Sequence, residues 1–188
     1  MRIMKNSNKH VPSSINDQLT YSNSTLGNFF IHSLQEMHYA ETTIATDFNL
    51  IKDQIVSPKL DEILKTHFAI HLKHKERLAK IFQLRAESGK IKDCKTFNAL
   101  IAESKNHLSF FSNDIANWEI ALILVSQKLT YYKIASYGAL AHLAIKLKYY
   151  KEATLLAVSV QEEEEFIANN LNGIIDAFMS SHIEGYKN

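Results

Sequence analysis

Apolar residues recur along this chain at alternating steps of four and three. That spacing lines them up on one stripe of an α-helix, which is then buried against partner helices. The first series is Phe30, Leu34, Met37, Ile44, Phe48, Ile51 and Ile55, and Ser24 is placed to cap its start. Between Met37 and Ile44 the stripe passes through Glu41. A carboxylate facing a core is costly unless it is paired, protonated or bound to a metal. Ser57 and Pro58 end this helix and open a second, serine as cap and proline in the first turn. The second stripe runs through Leu60, Leu64, Leu78 and Ile81, and His67, His71 and His74 interrupt it. It is expected to end near Glu87, with Gly89 as the stop.

Residues 89–113 read as a connector holding one short amphipathic helix around Phe97, Leu100 and Ile101, with Leu108, Phe110 and Phe111 packing beneath. A crossover of this length lets the helices on either side of it run parallel. The third long helix starts near Asn113 or Asp114 and ends near Leu147. Its stripe is Ile115, Trp118, Leu122, Val125, Leu129, Tyr132, Ser136, Leu140 and Leu143, with Lys133 beside the polar middle. The fourth follows Tyr149 and Tyr150 and reads Ala153, Leu156, Val160, Glu163, Ile167, Leu171, Ile174 and Phe178. Each long helix is about 45 Å. Glu41, the histidines, the Tyr132–Lys133 region and Glu163 each fall near the middle of their own helix. In an antiparallel bundle those middles share one level, so the pattern predicts a polar layer inside the core.

Composition narrows the class. Five glycines and two prolines in 188 residues leave too little punctuation for a β architecture. A net charge of +1 with dispersed cations argues against nucleic acid or an anionic membrane as partner. The single cysteine, Cys94, rules out an internal disulfide and fits a reducing cytoplasm. The two cations near the N-terminus have no apolar run behind them, so a secretory leader is not expected. The strongly apolar run 120–125 is far too short to span a bilayer. The expected organisation is a flexible tail over 1–24, a bundle over 25–180 and a frayed tail over 181–188.

Several stretches carry a resemblance to the YciE/YciF-type ferritin-like stress proteins, over residues 29–171. Tyr39-Ala40-Glu41 is similar to a Tyr-x-Ala-Glu-type signature, and HFAIHLKHKERLAKIF resembles the family's second helix. QKLTYYKIASYGAL, at 127–140, resembles its Gln-x-Val-Glu-His-Tyr-Glu-Ile-Ala-x-Tyr-Gly run, and QEEEEF from Gln161 its acidic cluster. The resemblance implies an all-α, ferritin-like antiparallel four-helix bundle whose crossover carries an extra helix. It also implies a homodimer and a relation to di-iron carboxylate proteins, with metal held by central carboxylates. Here the sequence departs from the pattern: Ala69 and Ile70, and Thr130 and Lys133, stand where the family has glutamates. A di-iron centre takes a Glu from each of two helices and Glu-x-x-His from the other two.

Two functions remain in view. The first is a non-catalytic, stress-associated structural or interaction protein with a degenerate metal centre. The second is a metal-binding protein with a rebuilt site on Glu41, His71, His74 and Glu163, residue types that suit iron, zinc or manganese. A cation at Lys133 beside those carboxylates would supply a metal's charge and favour the first. No nucleophile with an ordered base and no phosphate loop is visible, so no catalytic residue is assigned.

Overall fold

The computed structural model describes residues 15–185. The helices in chain order are α1 (Ile15–Ile51), α2 (Pro58–Leu84), α3 (Lys95–Phe110), α4 (Ile115–Lys146), α5 (Tyr150–Phe166) and α6 (Asn172–Gly185). A 3-10 turn, Lys52–Gln54, follows α1, and a π-helical segment, Ile167–Leu171, joins α5 to α6. Among the described residues there is no strand, and no helix is long and apolar enough to cross a membrane.

Helix boundaries follow the capping chemistry. Ser57 caps α2, its hydroxyl accepting from the Leu60 N–H at 3.3 Å, with Pro58 as the first helical residue. Asp114 caps α4 by accepting from the Asn117 N–H. The α1–α2 turn has a further clamp that the hydrophobic pattern does not reveal: buried Glu119 accepts from the N–H groups of both Val56 and Ser57 at 2.7 Å.

Three expected boundaries differ. Helix α1 begins at Ile15 and passes through Ser24, because no helix breaker separates Ser24 from the residues before it. The remainder of the expected tail, 1–14, lies outside the described residues. Helix α2 stops at Leu84 without the help of Gly89: Ala86 takes a left-handed conformation (φ 53°). The N–H of Glu87 then bonds the carbonyl of Phe82, and that of Ala86 the carbonyl of Gln83, closing a Schellman motif. Gly89 serves packing instead, since a Cβ there would meet the Phe82 ring at 3.2 Å. At the other end α6 continues to Gly185, and 186–188 lie outside the described residues.

Two apolar clusters fix the direction of every long helix. One joins Phe30, Leu34 and Met37 from early α1, Leu78 and Ile81 from late α2, Tyr137 and Leu140 from late α4, and Ala153 and Leu156 from early α5. The other joins Phe48 and Ile51 from late α1, Leu60 and Leu64 from early α2, Trp118 and Leu122 from early α4, and Phe166, Leu171 and Ile174 from the fourth helical arm. Helices α2 and α4 therefore run parallel to each other and antiparallel to α1 and α5–α6, a four-helix bundle with one crossover. Helix α3 lies on the crossover, its Phe97 and Ile101 packing against Ala40 and Ile44 of α1 beside Leu129 and Tyr132 of α4. It is longer than the short helix expected there. Phe110 is 82% exposed rather than packed beneath it, while Leu108 and Phe111 do pack inward.

Candidate functional site

The polar layer sits between the two apolar clusters. Glu41 comes from α1, His67, His71 and His74 from α2, Lys133 from α4 and Glu163 from α5, and all six are buried. The spacing of 67, 71 and 74 puts the three rings on one helical face, and α1, α4 and the last turn of α5 each bring a residue to the same level. The stripe predicted for α4 is turned slightly. Its core-facing members are Ser126, Thr130, Lys133 and Tyr137, whereas Tyr132 packs against Phe97 of α3 and lies 3.6 Å from Cys94 Sγ.

Lys133 is the hub. Its Nζ lies 2.6 Å from Glu163 Oε1, 3.1 Å from Glu41 Oε1 and 2.7 Å from His71 Nδ1. Glu41 is also bonded by His71 Nδ1 at 2.7 Å, by His74 Nδ1 at 3.1 Å and by the Tyr137 hydroxyl, which donates at 2.7 Å. His67 Nε2 lies 2.9 Å from Glu163 Oε2, and its ring stacks on Phe166 with centroids 3.8 Å apart. His74 Nε2 reaches Glu162 Oε2 at 3.1 Å, and Arg77 donates to both oxygens of Glu162 at 2.6 Å.

Charge balance explains how this layer survives in the interior. Burial raises the Glu41 carboxyl, but Lys133 and His71 outweigh it and hold the group well below the usual carboxylate range. Glu163 follows the same pattern: burial opposes ionisation, and Lys133 and His67 more than offset it. Burial opposes ionisation of Glu162 too, and Arg77 followed by His74 more than offsets it, leaving the group below its usual value. His71 is pushed down to about 3, first by burial and then by Lys133, so its ring is neutral at pH 7. His67 is lowered, mainly by burial. Both nitrogens of His74 face carboxylate oxygens, Nδ1 that of Glu41 and Nε2 that of Glu162. Three carboxylates (Glu41, Glu162, Glu163) thus face two fixed cations, Lys133 and Arg77, with His74 bridging Glu41 and Glu162.

All four candidate ligands named from the sequence, Glu41, His71, His74 and Glu163, converge in this one cluster. Sequence reasoning omitted Tyr137 and Arg77. Tyr137 stands one residue off the stripe taken as core-facing, and Arg77 reads as an ordinary exposed cation on α2. Ala69 is exposed and Ile70 only half-buried, so the glutamate pair of the family pattern would lie beside this layer, not within it. Thr130 is in the core but turns its hydroxyl to the Ser126 carbonyl at 2.9 Å.

Donor atoms of His67, His71 and Glu163 all lie within 4.8 Å of one another, a spacing compatible with a metal ion. Lys133 opposes that use. Its ammonium touches both central carboxylates and His71, the coordination role and the positive charge that an ion would otherwise supply. In this arrangement the ammonium of Lys133 stands between the carboxylates that would serve as ligands.

A family profile described as a domain of unknown function, DUF892, matches residues 25–184. The chain belongs to this family. Protein YciF of Escherichia coli (strain K12) is 30% identical over 158 residues, covering 79% of this chain and 93% of that protein. The crystal structure of the E. coli stress protein YciF superposes with a TM-score of 0.75 at 26% identity, covering 82% of this chain and 97% of the other. YcfI from Rhodopseudomonas palustris, for which a structural role has been suggested, superposes with a TM-score of 0.73 at 24% identity, covering 78% and 92%. The YciF-type resemblance of the sequence and the all-α bundle are thus both met.

Proposed function

We propose that this chain is a non-catalytic, stress-associated structural protein whose bundle is locked by an internal ion-pair cluster where metal-dependent bundles place their ions. The observation that carries the reading is Lys133 Nζ, fully buried between Glu41 and Glu163. The description of the E. coli relative as a stress protein supports the stress association. The structural role requires a partner surface, and the reading takes this to be a second copy in the cytoplasm, with exposed Phe29, Leu50 and Phe110 as available apolar contacts.

Metal analysis tests the central point. Protein expressed with iron, zinc and manganese in the medium is expected to carry well under one ion per chain. The Lys133→Glu variant, which removes the competing cation and adds a carboxylate, is expected to gain divalent metal. Tight stoichiometric metal in the unaltered protein would falsify the reading.

A second reading rests on the close approach of His67, His71 and Glu163. In it Lys133 swings aside and an ion is held by a His/Glu site drawing also on Glu41 and His74. That reading fails if metal content is unchanged by Glu41→Ala.

A further inference from the structure

Beside the ion-pair layer, and distinct from it, a cavity of about 140 Å³ opens between α1, α2 and α4 under the crossover helix α3. Its walls are apolar, with Ile44, Phe48, Leu64, Leu122, Val125 and Leu129 among them, and two imidazoles, His67 and His71, also line it. The Asp47–Lys105 ion pair, 3.1 Å, lies on the lining where α1 and α3 meet solvent.

Two side-chain acceptors stand open on these walls. Ser104 and Ser126 spend their hydroxyl protons on the Leu100 and Leu122 carbonyls at 2.7 and 2.8 Å. His67 is buried and commits Nε2 to Glu163, whose ionised carboxylate can only accept. The neutral ring must therefore carry its proton on Nε2, which leaves Nδ1 as a lone-pair acceptor with no partner among the described residues. Asp47 Oδ2 is a second acceptor, buried and without a partner among the described residues. A ligand that suits this lining is apolar and donates a hydrogen bond. It carries no negative charge: an added anion would face Glu163 and Glu41, two carboxylates that share one lysine. The size is that of one ring, since a dry cavity of about 150 Å³ admits benzene.

We propose that this cavity is a binding site for a single-ring aromatic alcohol of the phenol class, its ring among Phe48, Leu64, Leu122 and Leu129 and its hydroxyl donating to His67 Nδ1. The probes are 4-fluorophenol and fluorobenzene, followed by ¹⁹F NMR titration against the full chain. The phenol is expected to bind saturably and about tenfold more tightly than fluorobenzene, the difference one hydrogen bond makes. Val125→Phe, which fills the cavity, is expected to abolish binding. Leu129→Phe, one turn further along the same α4 wall, gives the same readout should Val125→Phe lose its cooperative unfolding transition. Equal affinity for the two probes overturns the proposal. So does absence of saturation in the millimolar range, or unchanged binding in a folded variant with the cavity filled.

Discussion

At the scale of the residue, the fate of the buried carboxylates turns on their donors. Glu41 collects contacts from His74, Lys133 and Tyr137 on Oε1 and from His71 on Oε2. The Tyr137 hydroxyl depends on the same bond, and burial followed by the charge on Glu41 keeps it protonated far above its usual range. Replacing Tyr137 with Phe removes a charge-assisted bond while keeping the ring's edge-on contact with His74. Urea unfolding is expected to show a loss of about 1.5–3 kcal/mol. A loss near zero would mean that Glu41 does not rely on this donor. Glu41 and the histidines are legible in the sequence, because a polar residue on an apolar stripe is conspicuous. Tyr137 is not, because its ring is as apolar as its neighbours and only a partner 96 residues away reveals the hydroxyl's purpose.

At the scale of the element, two helices end against the usual preference for glycine. Ala86 after α2 and Lys148 after α4 both adopt positive φ, 53° and 63°. Both close Schellman motifs: Glu87 N–H to the Phe82 carbonyl at 2.9 Å, and Tyr149 N–H to the Ala144 carbonyl at 2.8 Å. A side chain in this conformation costs about 1 kcal/mol that glycine avoids. Ala86→Gly and Lys148→Gly are each expected to raise stability by about 0.5–1 kcal/mol, read as an upward shift in the thermal midpoint. The low glycine count therefore reports on helix length correctly while hiding where two of the helices stop. Glu119 acts at the same scale. Removing it as Glu119→Ala strips the Val56 and Ser57 N–H groups of their acceptor, with an expected cost of about 2–3 kcal/mol. A denaturation midpoint unchanged by this substitution would show the α1–α2 turn to be held by Ser57 and Pro58 alone.

At the scale of the whole molecule, the polar layer sets the response to acid. Glu41, Glu162 and Glu163 have folded values below their unfolded ones. Their stabilisation is present at neutral pH and is lost as pH falls below about 4.3. His67 and His71 are also depressed, the latter to about 3, so the folded state prefers them neutral. Below about pH 6.5 the unfolded chain takes up protons that the folded one refuses, and each histidine then removes up to about 1.4 kcal/mol per pH unit. Both sets act in one direction. Chemical denaturation at a series of pH values is expected to show constant stability near pH 7–8, a decline beginning near pH 6.5 and a steeper one below about pH 4.5. Stability that rose on acidification from pH 7 to pH 5.5 would contradict the assigned neutral histidines.

The sequence by itself determined the number of long helical arms, the stripes of all but α4 and the level at which the polar residues meet. Those follow from local periodicity: steps of three and four need no knowledge of the partner helix. The Ser57–Pro58 and Asp114 boundaries were equally local. Only the tertiary structure decided the rest, because it depends on which side chain from a distant helix fills a given space. It turned α4 so that Lys133, not Tyr132, enters the core, and it placed that ammonium between Glu41 and Glu163. It gave Glu162 to Arg77 and bound Glu163 to His67, which fixes the proton of that ring. A pattern of histidines and glutamates can describe a metal centre or an ion-pair cluster. The choice rests on the position of one lysine nitrogen, a distance of a few ångströms that no spacing along the chain encodes.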